Sequence, residues 1–328
     1  MSHQHVPTVR GPVAAEELGQ VLMHEHVFVL SEEIRRNYPQ YWDEDARVAD
    51  AVGRLRALRE RGVQTIVDPT VIGLGRDVER VARVNAEVDL DIVVATGLYT
   101  YDSVPFFFSQ HGPGTLLGGE EPMVELFVAD ITEGIAGTGI RAGLLKCAIE
   151  HELTPGVERV LVAVAETHRR TGVPITVHTS PAHGTGAVAQ EVLVREGVDP
   201  RAIVLGHSGD TDDLDLLRRL ADAGSILGMD RFGLDVLLPT DRRVATIAAL
   251  AAEGYADRMV LAHDASCRID WFAPEAVAAL APNWHYTFIH DQVLPALRAA
   301  GVTERQLTTM LVDTPRRYLT GTTGTTER

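Results

Sequence analysis

Short apolar runs rich in β-branched residues alternate with longer amphipathic runs eight times along the chain. This alternation restricts the fold more than any other feature. The expected strands cover 21–23, 65–68, 92–96, 142–149, 175–178, 202–207, 225–229 and 259–263. Helices are expected between and after them, over 45–61, 77–88, 123–136, 186–195, 212–223, 242–253, 284–300 and 304–319. A further helix has Thr154 as N-cap and Pro155 at its first position, and Gly172 closes it. Exposed-looking residues 31–42 and an aromatic loop, 101–119, interrupt the pattern. Strict strand–helix alternation argues for a parallel sheet, and eight units fit one closed α/β domain, a (β/α)8 TIM barrel. An open doubly wound sheet is the alternative, disfavoured because no glycine-rich phosphate loop follows the first strand. The barrel is expected over 1–320, with a polar tail over 321–328.

A hydrophobic content of 45% over 328 residues supports a sizeable core. The formal charge of −16 argues against nucleic acid or an anionic membrane as partner. Cys147 and Cys267 are the only cysteines, too few for a disulfide framework, so a reducing cytoplasmic setting is expected. Residues 1–10 lack the apolar core of a signal peptide, and no apolar run is long enough to span a membrane.

In a barrel of this kind the active site lies at the C-terminal ends of the strands. His24 and His26 end the first strand two residues apart, a spacing that projects both from one strand face. Lys146 lies in the fourth strand, His178 ends the fifth, His207 ends the sixth and Asp264 follows the eighth. Polar groups at the ends of apolar strands are costly unless paired or functional, and six on one rim are difficult to explain as packing. Four imidazoles and a carboxylate suit a divalent transition metal such as zinc. An ammonium cannot ligate a cation, so Lys146 is either a carbamylated, bridging ligand or an ion-pair partner of Asp264 or Glu150.

The set His24, His26, Lys146, His178, His207 and Asp264 resembles the binuclear metal site of the amidohydrolase superfamily. Within it the chain is similar to the phosphotriesterase family, and more closely to its phosphotriesterase-like lactonases, over nearly the whole length. The resemblance implies two divalent ions, zinc above all, with cobalt, iron or manganese as alternatives. His24, His26 and Asp264 would hold the more buried ion and His178 and His207 the more exposed one, bridged by carboxylated Lys146 and a hydroxide. The segments 96–99 and 228–233 match the lactonases, with Tyr99 facing the metals and Arg231 near the substrate; 266–271 also resembles theirs. Ala265 and Ser266 depart from the bulkier or thiol side chains of other members. The implied activity is opening of lactones, most closely N-acyl-homoserine lactones as in quorum quenching, with weak phosphotriesterase activity. A true phosphotriesterase is the alternative, and a homodimer is implied.

In this reading Asp264 moves protons, while Tyr99 and Arg231 contact the substrate; Arg231 could instead pair with Asp230 or Asp235. Phe106–Phe108, Phe232, Leu234, Val236, Leu237, Trp271 and Phe272 are candidates for an acyl groove, or for ordinary loop anchors. His263 should point away from the site, and Asp68 should hydrogen-bond near the mouth without ligating. His183 could reach the site from its loop. Tyr41 and Trp42 are candidates for a subunit interface.

Overall fold

Residues on each strand alternate between two apolar environments, which is what a sheet covered on both faces requires. The computed structural model describes residues 4–321. A hairpin of β1 (His5–Thr8) and β2 (Gly11–Ala14) opens the chain. Then come β3 (Gln20–Leu22), β4 (His26–Val29), β5 (Val63–Asp68), β6 (Asp91–Gly97), β7 (Leu144–Ala148) and β8 (Ile175–His178). The last four are β9 (Ile203–Gly206), β10 (Ile226–Met229), β11 (Met259–Leu261) and β12 (Ser266–Ile269). Eight of them form one parallel sheet in the order β11-β10-β9-β8-β7-β6-β5-β3. Its two edges meet, since Met23 N donates to Leu261 O at 3.2 Å and Asp264 N to His24 O at 2.9 Å. The fold is the expected TIM barrel.

Val67, Val93, Leu144, Val204, Ile226 and Val260 fill the barrel interior as one cluster. Ile66, Ile92, Leu145, Cys147, Ile175 and Leu205 belong to the larger cluster between strands and helices. This parity matters for the site. Lys146 is two residues on from inward Leu144, so it also points inward, and Cys147 faces the helices as expected from its neighbour.

Several expectations are corrected. The eighth strand stops at Leu261 rather than residue 263, because Asp264 takes a left-handed backbone (φ 54°). The closing helices are not continuous: π-helical turns at Ile289–Val293 and Thr309–Asp313 precede Pro295 and Pro315. Proline has no N–H for the carbonyl four residues back, and the wider turn accommodates that loss. The 31–42 and 101–119 segments contain helices Glu32–Asn37 and Phe106–Gln110. The β1–β2 hairpin and the parallel β4–β12 pair were not expected. Pro7 and Pro12 sit inside the hairpin strands and mask its pattern. The expected tail lies outside the described residues from 322 onward. Among the described residues no helix is long and apolar enough to cross a membrane.

Gly97 ends β6 with φ +139°, and a Cβ there would sit 1.9 Å from the Lys146 carbonyl oxygen. The backbone of β6 can approach β7 this closely only without a side chain. Gly97→Ala should therefore lower stability by about 2–5 kcal/mol through strain and overpacking. A denaturant midpoint equal to wild type would show that β7 can yield there.

Candidate metal centre at the mouth of the barrel

The strand ends bring the expected side chains to one point. His24 Nε2 and His26 Nε2 lie 3.4 and 3.3 Å from Asp264 Oδ1. His207 Nε2 lies 2.8 Å from His178 Nδ1. Lys146 Nζ is 3.2 Å from His24 Nε2. The side chains thus fall into a group of His24, His26 and Asp264 and a pair of His178 and His207, with Lys146 beside the first. His178 and His207 are 3% and 0% exposed and His24 and His26 3% and 6%.

Each imidazole is held through its far nitrogen. Asp230 takes contacts from His24 Nδ1 at 3.2 Å and His207 Nδ1 at 2.8 Å, and accepts from the His207 backbone N–H at 2.9 Å. Thr70 Oγ1 lies 2.7 Å from His26 Nδ1 and donates to Asp68 Oδ1. Glu150 Oε2 lies 2.5 Å from His178 Nε2. Such partners fix the ring orientation and raise the basicity of the nitrogen that faces the site. Glu25, between the two histidines, is turned the other way. Its carboxylate accepts from His263 Nδ1 at 2.7 Å and from the backbone N–H groups of His263 and Ala265. His263 Nε2 in turn accepts from Ile289 N, so His263 is a core histidine.

The electrostatics favour ligand-ready protonation states. Burial pushes His178 down to about 4, despite its contact with Glu150. His207 is also lowered, by burial and then by Arg231. His24 is lowered by burial and by Lys146. Burial opposes the charge on Asp264, but His24, His26, His207 and Arg231 outweigh it and hold the carboxylate ionised. His26 is the exception: burial opposes its charge, yet Asp264 and Asp68 raise it to about 9. Lys146 falls to about 8 through burial, partly offset by Asp264 and Asp230.

Lys146 is 1% exposed, and among the described residues no carboxylate forms an ion pair with it. The expected alternative pairing with Asp264 or Glu150 is therefore not formed. A buried ammonium without a counter-ion is strongly disfavoured. The converging imidazoles and carboxylate fit divalent cations, and ligand atoms of His24, His26 and Asp264 lie within 4.8 Å of one another.

Above this floor is a cavity of ≈ 320 Å³ lined by Tyr99, Tyr101, Arg231, Leu234, Val236, Leu237, Trp271 and Phe272, together with the site residues. Tyr99 Oη lies 3.2 Å from His178 Nδ1. Arg231 donates to Asp264 at 3.0 Å and to Asp210 at 2.9 Å, so neither expected alternative, Asp230 or Asp235, pairs with it. Two candidates for the groove are corrected. Phe232 is 1% exposed and packs in the core, because it follows the left-handed Arg231 and turns inward. The 106–108 segment does not line the cavity: Phe108 anchors its helix in the core and Phe106 is 81% exposed. Trp42 is half-buried, its ring edge-on to Phe28 at 5.6 Å, whereas Tyr41 is exposed.

Asp230, Thr70 and Glu150 were missed as site residues. Asp230 carried a usable signal, since it directly follows β10 on the same rim. Glu150 carried the same signal, since it follows β7 on the rim; Thr70 carried less, because its contact with His26 is set by the turn after β5.

The Phosphotriesterase family model matches residues 4–319. A phosphotriesterase homology protein of Mycobacterium tuberculosis is 55% identical over 312 residues, 94% of this chain and 96% of that protein. An aryldialkylphosphatase of Saccharolobus solfataricus is 38% identical over 317 residues, 95% of this chain and 99% of that protein. The solved structure of the phosphotriesterase from Mycobacterium tuberculosis superposes with a TM-score of 0.95 at 55% identity, covering 96% of this chain and 98% of that one. With a matching model over nearly its whole length and a mouth built of converging metal-binding side chains, the chain belongs to the phosphotriesterase family and is a metal-dependent hydrolase.

Proposed function

We propose that the chain opens lactone rings, with N-acyl-homoserine lactones as the substrate class that fits best. The observation that carries this reading is the cavity above the metal centre. A phenol hydroxyl and a guanidinium stand at its polar floor, and Leu234, Val236, Leu237, Trp271 and Phe272 make an apolar wall. A cyclic ester with an amide-linked acyl chain has matching parts: a carbonyl for the floor and an alkyl tail for the wall.

His24, His26 and Asp264 would hold one divalent ion, zinc above all, and His178 and His207 a second, with a carboxylated Lys146 between them. When bound, such a pair supplies Lewis acidity and a water-derived nucleophile at neutral pH. The buried, unpaired amine of Lys146 supports carboxylation, since the carbamate replaces an uncompensated ammonium with an anion among cations. Tyr99, already at hydrogen-bond distance from His178, would donate to the carbonyl oxygen as negative charge develops there. Asp264, held as a carboxylate, would accept the proton of the attacking water and return it to the departing ring oxygen. Arg231 would position the ester and amide oxygens. Leu234, Trp271 and Phe272 would take the acyl chain; Trp271 and Phe272 are 45% and 49% exposed, open to a ligand.

The 38%-identical relative is named an aryldialkylphosphatase, which favours a second reading, a true phosphotriesterase. Comparing kcat/KM on an N-acyl-homoserine lactone and on paraoxon, with zinc-loaded protein, separates the two. The lactone should be preferred, and KM should fall about fourfold per added methylene until the groove ends, at about 0.8 kcal/mol for each CH2. Faster turnover of paraoxon removes the lactonase reading.

Lys146→Ala should lose bound zinc, and short carboxylic acids should restore part of both metal content and activity. Full zinc retention in the variant would dismiss the bridging carbamate. A homodimer is part of the same reading, supported by exposed Tyr38 and Tyr41 on one segment; sedimentation at the monomer mass would remove it. Both cysteines are buried free thiols, which supports a reducing cytoplasmic setting.

A further inference from the structure

Beside the centre described above, the rim carries a second cluster of donors. Glu150 and His151 follow β7, and His183 ends the turn Pro181–His183 that follows β8. One ligand atom from each lies within 4.8 Å of the other two. The rings of His151 and His183 meet edge to face with centroids 4.9 Å apart.

Each of the three keeps a donor atom free. Ser180 Oγ occupies His183 Nδ1 at 2.9 Å and orients the ring, leaving Nε2 unengaged. His151 touches Tyr101 and His183 through its ring, and among the described residues neither of its nitrogens has a hydrogen-bond partner. Glu150 is anchored through Oε2 to His178, which leaves its second oxygen available. Two exposed imidazoles in edge contact could be ordinary surface neighbours. A carboxylate converging on both, with one ring braced by a serine, goes beyond that. Two imidazoles, one carboxylate and open positions for water form a donor set that zinc accepts.

We propose that Glu150, His151 and His183 form a third divalent-cation site, suited to zinc, at the rim and separate from the buried centre. The site shares Glu150 with His178. A cation on Glu150 draws charge from the carboxylate and weakens its contact with His178 Nε2. Filling the rim site therefore loosens the hold on His178, and excess zinc inhibits. The inhibition rests on His178 being a metal ligand, as proposed above; binding at the rim does not.

The test is zinc stoichiometry of the full-length protein after equilibrium dialysis, for wild type, His151→Asn, His183→Asn and the double variant. Wild type should bind one equivalent more than the double variant. Each single variant should weaken that equivalent at least tenfold, and circular dichroism should show wild-type folding in all. Equal stoichiometry in wild type and the folded double variant overturns the site. The equivalents that both retain report separately on the buried centre. Zinc titration of activity then tests the coupling: inhibition should need at least tenfold more zinc in the double variant. Identical inhibition curves overturn the link through Glu150.

Discussion

A buried lysine nitrogen at the cavity floor, with no carboxylate in ion-pair contact, sets the terms for the mouth of this barrel. Lys146 is placed there by strand parity: Leu144 fills the barrel interior and Lys146 points the same way. An isolated ammonium in such a place is so unfavourable that the group neutralises or finds a counter-charge. His24, whose Nε2 lies 3.2 Å from the amine, is an imidazole and brings no negative charge. Asp264 and Asp230 raise Lys146 from a distance but do not reverse the effect of burial. The arrangement is under-stabilised as a set of protein groups alone. The proposed carboxylation of the amine, with cations between the imidazoles, would balance it.

That requirement explains why so much of the surrounding structure serves orientation. Asp230 receives two imidazoles and a backbone N–H at once, and Thr70 and Glu150 hold the other two rings. Among the described residues, three of the four non-glycine residues with positive φ, His207, Arg231 and Asp264, lie in this same region. Left-handed backbone costs about 1–3 kcal/mol per residue where the side chain is not glycine. The strain is held by bonds that the turn itself creates. At His207 the turned backbone presents its N–H to Asp230, and at Asp264 the backbone N–H closes the barrel onto His24 O. Barrel closure and presentation of the Asp264 carboxylate are thus parts of one local geometry.

The fold and the converging side chains were legible in the sequence for a shared reason. Both follow from strands whose ends fall at one rim. Lys146 and His178 could be placed by counting along β7 and β8. His24, His26, His207 and Asp264 could be placed by nearness to a strand end, although His24 lies between β3 and β4, His26 opens β4, and His207 and Asp264 lie in left-handed turns past their strands. What could not be counted was anything set by the turns that follow the strands. Thr70, after β5, meets His26 on β4, and Glu150, after β7, meets His178 on β8, contacts set by how each following loop turns. Phe232 lies within the matched loop segment 228–233, but the left-handed turn at Arg231 sends its ring into the core. The paired π turns before Pro295 and Pro315 were hidden because amphipathic periodicity barely changes over one wide turn.

The division between strand-borne and loop-borne residues also explains how members of one family can differ in what they act upon. The metal-facing groups sit at the ends of hydrogen-bonded strands, in a buried environment that tolerates little movement. The cavity wall is different. Leu234, Val236 and Leu237 follow β10, Trp271 and Phe272 follow β12, and several are half exposed. Loops of this kind can change without disturbing the barrel. Tyr99 and Arg231 occupy the boundary: each touches a metal-facing side chain, His178 or Asp264, while lining the cavity. Both join the cavity wall to the centre, because displacing either changes a contact on each side.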